Sequence, residues 1–315
     1  MKTGRGSRVS LFDLQVNGFA GIDFQQPNLS LEELRLACLG LRNHQTHRIL
    51  LTLVTDGIDA LERQFARIEA MRNRDELVRE TVAGYHLEGP YLNPEEGYRG
   101  AHPAKFIKAP DWKEYQRLQK AAGGNIRLVT LAPEWPGSAR FIAALTRSGV
   151  VVSLGHTNAS ESEIDGAVKA GAALCTHLGN GCPAVMPRHD NITPRQLARD
   201  DLVACFLPDG IHIPPTVLKN FLRAKPADQI IITTDAMAAA GAPPGRYSIG
   251  KSRVDCGRDG VVHFPGTEYF AGSSLTPEKG AANAARWAGV APAAAWGWGS
   301  SRPAEMFGIR LPRLP

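Results

Sequence analysis

The chain is 315 residues long, 43% hydrophobic and 21% charged, with a formal net charge of +5, enough to bury one large α/β barrel or two smaller domains. Its 36 Lys and Arg are dispersed among 31 Asp and Glu with no basic run, which argues against nucleic acid as a partner. No stretch approaches the roughly 20 apolar residues that span a bilayer, and the basic opening, Met1 to Ser10, lacks the apolar core of a secretory leader, so a cytoplasmic protein with no membrane association is expected.

Short β-rich runs alternate with helical patterns. Strands are predicted at residues 10–16, 49–54, 81–87, 127–131, 150–154, 172–176, 202–206 and 229–233. Several are near-continuous apolar runs (ILLTLV, VVVSL), as strands buried on both faces must be. Amphipathic stretches at 30–43, 59–72, 111–122, 138–147, 160–170, 214–223 and 276–287 are predicted helices between or after them. Eight such units imply a (βα)8 TIM-like barrel in a single domain, with a doubly wound sheet as the structural alternative. Residues 241–270 interrupt the alternation with Gly, Pro and short alternating runs (RYSIG, SRVDC, GVVHF), which reads as a β-hairpin excursion. The tail beyond it is expected to hold a short helix and an irregular end. Five scattered cysteines include no CxxC pair, so neither a disulfide framework nor a cysteine zinc site is expected.

Polar residues able to bind a metal fall at the carboxyl ends of different predicted strands. Glu88 follows VAGYHL, His156 follows VVSLG, His177 follows AALCT and Asp235 follows IIITT. In a barrel enzyme those ends converge on one face. Each residue alone has an ordinary explanation: a packing histidine, a turn glutamate, an aspartate capping a helix. Their recurrence changes that, because two imidazoles and one carboxylate form a sound donor set for Zn²⁺ with a fourth position left open. Such a set also accepts Fe²⁺ or Co²⁺. Asp235 then suits the base that takes a proton from water and returns it to a leaving group. His86, two residues before Glu88 on the same side of the strand, reads as core or supporting rather than ligating. Gln15 and Asn17, after the first strand, and His212, after DLVACFLPDG, occupy the same kind of position.

The stretches DLQVNGFAGIDF, HLEGPYLNPEEGYRGAHP, SLGHTNAS, THLGNG, DGIHIPP, TTDAMAAAG and FAGSSLT, in this order over nearly the whole chain, resemble the N-acetylglucosamine-6-phosphate deacetylase family of the amidohydrolase superfamily. The resemblance implies removal of the acetyl group from N-acetylglucosamine 6-phosphate, giving glucosamine 6-phosphate and acetate. It also implies Glu88, His156 and His177 as metal ligands and Asp235 as the catalytic acid/base. His102 would polarise the acetamide carbonyl, and Asn180 and Gly181 would contact the sugar. Arg188 and His212 would hold the phosphate, with Arg188 reaching across from a second subunit of a homodimer. Ala271, Gly272 and Ser273 would line the sugar pocket. Three departures stand out. Gln15-Val16-Asn17 replaces the His-x-His that holds a second metal in many amidohydrolases, so one divalent ion per subunit is expected. Gly179-Asn180-Gly181 replaces Phe-Asn-Ala, which is expected to open the pocket. The small β-domain usual in the family is expected to be missing or vestigial. The alternatives are an amidohydrolase of the same barrel acting on another N-acyl compound, and a non-catalytic sugar-phosphate binding protein.

Overall fold

In a computed structural model, residues 8–267 and 270–314 are described. Residues 1–7, where most of the leader reading falls, lie outside them.

Eight parallel strands follow one another around a barrel in chain order. They are β1 (Leu11–Val16), β2 (Thr46–Val54), β3 (Val82–Glu88), β4 (Ile126–Leu131), β5 (Val151–Leu154), β6 (Ala172–Cys175), β7 (Val203–Phe206) and β8 (Ile230–Ile232). Helices α1 (Leu31–Asn43), α2 (Ile58–Arg74), α3 (Glu76–Thr81), α4 (Trp112–Ala121), α5 (Ser138–Arg147) and α6 (Glu161–Ala170) pass between successive strands. So do α7 (Ile192–Leu197) and α8 (Pro215–Ala224), and α9 (Pro277–Ala288), α10 (Pro292–Trp298) and α11 (Ser301–Phe307) come last. Their starts are written locally. Ser30 and Ser160 each form a capping box with the glutamate three residues on, and α8, α9 and α10 carry proline in the first turn.

Two short helices depart from the predicted set. Asp75 ends α2 and its side chain accepts from Val78 N, starting α3 at once. Thr81 is therefore helical rather than the first residue of a strand, and Glu88 closes β3 instead of following it. Helix α7, six residues long, is started by the Asn191 side chain accepting from Thr193 N.

The barrel interior is layered. At the amino-terminal end Phe12, Leu14, Leu50, Leu128, Leu174, Val203, Cys205 and Ile231 form an apolar cluster. It is plugged by Ala304 and Phe307 of α11, with the Phe307 ring edge-on to Phe12 at 5.9 Å. Above it lies a buried hydroxyl layer. His86 Nε2 meets Thr130 Oγ1 at 2.7 Å, and Thr130 Oγ1 meets Thr176 Oγ1 at 2.7 Å. Thr176 also bonds Ser153. The active face stands on this layer.

Strands β1 and β8 do not share a ladder. They meet through one parallel bridge, Val16 to Ala236, beyond the end of β8, and through the buried carboxylate of Asp13. Asp13 Oδ1 accepts from Thr233 Oγ1 and from Gln15 N, and Oδ2 accepts from Thr234 Oγ1 at 2.6 Å. A side chain supplies the hydrogen bonds that a paired backbone would otherwise make.

The expected excursion is a separate antiparallel sheet of β9 (Gly245–Ile249), β10 (Ser252–Cys256) and β11 (Val262–His263). Asp23 holds its first turn, with Oδ2 accepting from Gly250 N at 2.8 Å. The tail holds two helices, α10 and α11, rather than one. All five cysteines are free thiols, and among the described residues no helix is long and apolar enough to cross a membrane.

Candidate metal centre and active site

Glu88, the last residue of β3, and His156 and His177, just beyond β5 and β6, present ligand atoms that all lie within 4.8 Å of one another. Both imidazoles turn Nε2 to the same carboxylate oxygen. His177 Nε2 is 3.1 Å and His156 Nε2 3.4 Å from Glu88 Oε1. His156 is oriented from behind, because its Nδ1 donates to Tyr98 O at 2.8 Å and so leaves the Nε2 lone pair facing inward. All three side chains are buried.

The centre is crowded with backbone held against its preference. His156, His177 and Asp235 have φ of 53°, 28° and 49°, three of the five non-glycine residues with positive φ among those described. Each such residue costs about 1–3 kcal/mol and persists only where its surroundings over-determine it. The His156 ring is also gripped by glycines. A Cβ at Gly181 (φ 62°) would stand 2.8 Å from His156 Nδ1, and one at Gly100 would stand 3.1 Å from Cε1. The expectation that Gly179-Asn180-Gly181 opens the pocket is therefore corrected. The space beside Gly179 is filled by Phe221 and Ile213, at 2.8 and 3.1 Å from its Cβ position, and that beside Gly181 by the His156 ring. The glycines let the loop close onto the centre.

Asp235 lies across from Glu88, and the Gln15 amide bridges the two carboxylates while Asn17 holds Asp235 alone. Gln15 Nε2 donates to Glu88 Oε1 at 2.9 Å and to Asp235 Oδ1 at 3.0 Å, and Asn17 Nδ2 donates to Asp235 Oδ1 at 2.7 Å. Burial, then the charge of Glu88, pushes Asp235 up to about 7, opposed by His177 and His212. Burial also acts to raise Glu88, but its hydrogen bonds with His156 and His177 outweigh that and hold it well below the usual carboxylate range. For His177 burial lowers the pKa, and the hydrogen bond and charge of Glu88 reverse the sign, leaving it raised. A buried and a half-buried carboxylate, bonded by neutral amides, bring negative charge to the place where two imidazole nitrogens converge. That donor set fits a divalent cation.

His102 is buried beside the centre rather than exposed on a loop. Its ring lies edge-on to His156 at 4.4 Å, its Nδ1 is 2.8 Å from Thr55 Oγ1 and its Nε2 is 3.9 Å from Glu88 Oε2. Burial, then the charge of His156, pushes it down to about 3, so it is neutral at physiological pH. His86 sits below in the hydroxyl layer and does not join the ligand group. Asn180 turns a buried Nδ2 to no partner. His212 Nδ1 bonds Asp209 Oδ2 at 2.6 Å, and its ring lies 4.9 Å from Phe270. Ala271 is buried, Gly272 takes a φ of 64°, and Ser273 bridges Ala236 and donates to Thr234 O. Arg188 is exposed on the loop after β6 and makes no hydrogen bond or ion pair among the described residues. Thr55 and Asp13 were not among the sequence candidates, and neither was Glu134. Each is one polar residue near a strand or its end, a signal that the sequence repeats at many positions without consequence.

Fold and site together define a (βα)8-barrel hydrolase of the amidohydrolase type. The chain is 32% identical over 313 residues to N-acetylglucosamine-6-phosphate deacetylase of Danio rerio, covering 94% of this chain and 74% of that protein. It is 30% identical over 273 residues to the enzyme of that name from Bacillus subtilis (strain 168), covering 86% and 67%. A solved structure of the Mycobacterium smegmatis deacetylase, an aspartate-to-alanine variant in complex with N-acetyl-D-glucosamine-6-phosphate, superposes with a TM-score of 0.87. That match has 28% identity and covers 96% of this chain and 78% of that one. No family model matches the chain. The chain belongs to the N-acetylglucosamine-6-phosphate deacetylase family.

Proposed function

We propose that the protein hydrolyses the N-acetyl group of N-acetylglucosamine 6-phosphate to glucosamine 6-phosphate and acetate. The observation that carries the reading is the convergence of Glu88, His156 and His177 within 4.8 Å, with Asp235 one amide bridge away. The three ligands would hold one divalent ion, Zn²⁺ first, with Fe²⁺ or Co²⁺ as the other choices. Gln15 and Asn17 favour a single ion, since their amide N–H groups already face the carboxylates. When bound, the ion supplies Lewis acidity for the amide carbonyl and for the attacking water.

The chain's own residues do the rest. Both amide donors bond Asp235 Oδ1, which leaves Oδ2 as the oxygen that takes the water's proton and returns it to the departing amine. A cation on the three ligands would draw the Asp235 pKa below about 7 and keep it ionised for that task. His102 Nδ1 lies 2.8 Å from Thr55 Oγ1, whose hydroxyl also reaches Glu88 O at 3.4 Å, and in the tautomer with its hydrogen on Nε2 neutral His102 would donate that hydrogen to the acetamide oxygen. Asn180 Nδ2 and the Gly181 backbone would meet the sugar, beside Ala271, Gly272 and Ser273. His212 and an arginine would hold the phosphate, where a guanidinium donates two parallel hydrogen bonds. We assign that arginine to the partner subunit's Arg188 in a homodimer, because Arg188 is exposed and has no hydrogen-bond or ion-pair partner among the described residues. A cytoplasmic setting suits a phosphorylated sugar and five free thiols.

Metal analysis of the purified protein, paired with an acetate-release assay, tests this reading. About one ion per chain is expected, with release from N-acetylglucosamine 6-phosphate and much less from N-acetylglucosamine. Metal without release would leave the centre standing and overturn the substrate.

A further inference from the structure

At the exit of β4, Glu134 stands outside the ligand group yet touches two loops beside it, the one that leaves β3 after Glu88 and the one that carries His156. Its Oε1 accepts from Asn93 Nδ2 at 2.8 Å and from Asn158 N at 2.9 Å, and its Oε2 accepts from Thr157 Oγ1. Asn93 belongs to the loop that leaves β3 after Glu88. Thr157 and Asn158 directly follow His156. The circuit closes at the ligand itself, because Asn93 N donates to His156 O at 2.9 Å. Thr157 Oγ1 in turn accepts from Ala159 N at 3.0 Å, which fixes the turn beyond it. Neighbouring backbone reinforces the same joint, with Ala132 N donating to Tyr91 O at 2.9 Å and Trp135 Nε1 to Leu92 O at 2.8 Å.

His156 needs such a brace. Its φ of 53° is a conformation that histidine adopts only under constraint. Its Nδ1 is held by Tyr98 O, which lies on the same β3 loop that Asn93 anchors. Without the carboxylate, the β5 loop would keep its backbone bond to Asn93 and the ring its bond to Tyr98 O, but the side-chain clamp that fixes the two loops against each other would be gone. Asn93 Nδ2, Thr157 Oγ1 and Asn158 N would all lose their acceptor.

We propose that Glu134 is a positioning residue for the metal, clamping the β3 and β5 loops so that His156 presents Nε2 to the Glu88 carboxylate. The inference rests on the metal reading above and adds to it a residue that touches neither ion nor substrate. The test is metal affinity by chelator competition, with the thermal midpoint of the metal-free protein measured alongside. Glu134→Ala is expected to weaken affinity about 10–100-fold, the usual effect of losing an outer-shell partner. Glu134→Gln keeps Oε1 as acceptor for Asn93 and Asn158, so its affinity is expected to stay within about threefold of wild type. A purely structural role would lower the midpoint of both variants and leave the affinity of the folded protein unchanged. If Glu134→Ala fails to fold, Thr157→Val removes one arm of the clamp in a near-isosteric way and should still weaken binding several-fold. Metal-binding wild type with an equally tight Glu134→Ala, or an equally tight Thr157→Val in its place, overturns this inference alone. Wild type that binds no metal overturns the metal reading, and this inference with it.

Discussion

The cluster of Glu88, His156, His177 and Asp235 and the loop of Arg188, proposed above to meet the phosphate, are built differently. Glu88, His156, His177 and Asp235 sit on or just past strand ends; the first three are buried, the last three are strained, and Gln15 and Asn17 hold the two carboxylates. Arg188 lies on a long loop, exposed and unpaired among the described residues, near Val185 at 89% exposure. The reacting atoms need geometry fixed to fractions of an ångström, which strand ends supply. Recognition of a flexible phosphate tolerates a mobile arm and can await substrate or a second subunit. The proposed function thus puts the chemistry in the barrel and the selectivity in its loops.

This contrast can be broken by four measurements. Asp235→Asn should keep the metal and lower kcat about 10²–10⁴-fold, the range for losing a general acid/base. Undiminished turnover in an acetate-release assay would remove Asp235 from the reaction. Gly181→Ala presses a Cβ onto His156 at a φ of 62°. It should weaken metal binding roughly tenfold and cost about 1–2 kcal/mol of stability, read by chelator competition and thermal melting. An unchanged metal affinity would show that the loop yields and the ring does not. Arg188→Ala should raise KM for the phosphorylated substrate about tenfold, as the loss of a charge-assisted bond does. Its kcat and melting temperature should not move, and a fall in kcat would place Arg188 with the chemistry instead.

The last of the four concerns pH. Burial pushes Asp23 from 3.8 up to about 7, against the bonds it accepts from Gln25 N and Gly250 N. Its folded-state pKa is raised, so the folded protein holds a proton that the unfolded chain releases. Its contribution to stability is then full below about 4 and disappears as pH rises through about 7. Between pH 5 and 8 wild type should lose roughly 2 kcal/mol relative to Asp23→Asn, measured by urea denaturation. Parallel pH profiles for the two proteins would rule this out.

The eight strands were legible because buried parallel strands are apolar on both faces and short, and their ends followed from turn residues. The ligands were legible for a related reason: a charged or imidazole side chain directly after an apolar run has few other uses when the pattern repeats. Helices α3 and α7 were not, since six residues carry too few turns to show a period. The strained φ of His156, His177 and Asp235 leaves no trace in sequence, because none of them is glycine. Gly179 and Gly181 were visible but misread. A missing side chain looks like open space until the structure shows that Phe221 and the His156 ring occupy it. Glu134 sits in LAPEW much as Glu88 sits in HLEGP, and only the partners across space separate a brace from a ligand.

The joint at Asp13 bears on how the chain assembles. β1 leaves the ribosome early, yet Thr233, which its Asp13 holds, lies 220 residues further on. Until β8 arrives, a strand that is apolar along most of its length and carries a carboxylate has only β2 beside it. The final ring closure therefore has to overcome the entropy of a very long loop, and contacts of that separation form slowly. The opening of the barrel at this joint should be the last gap to fill during folding, and the exposed edge of β1 the surface that misassembly would exploit.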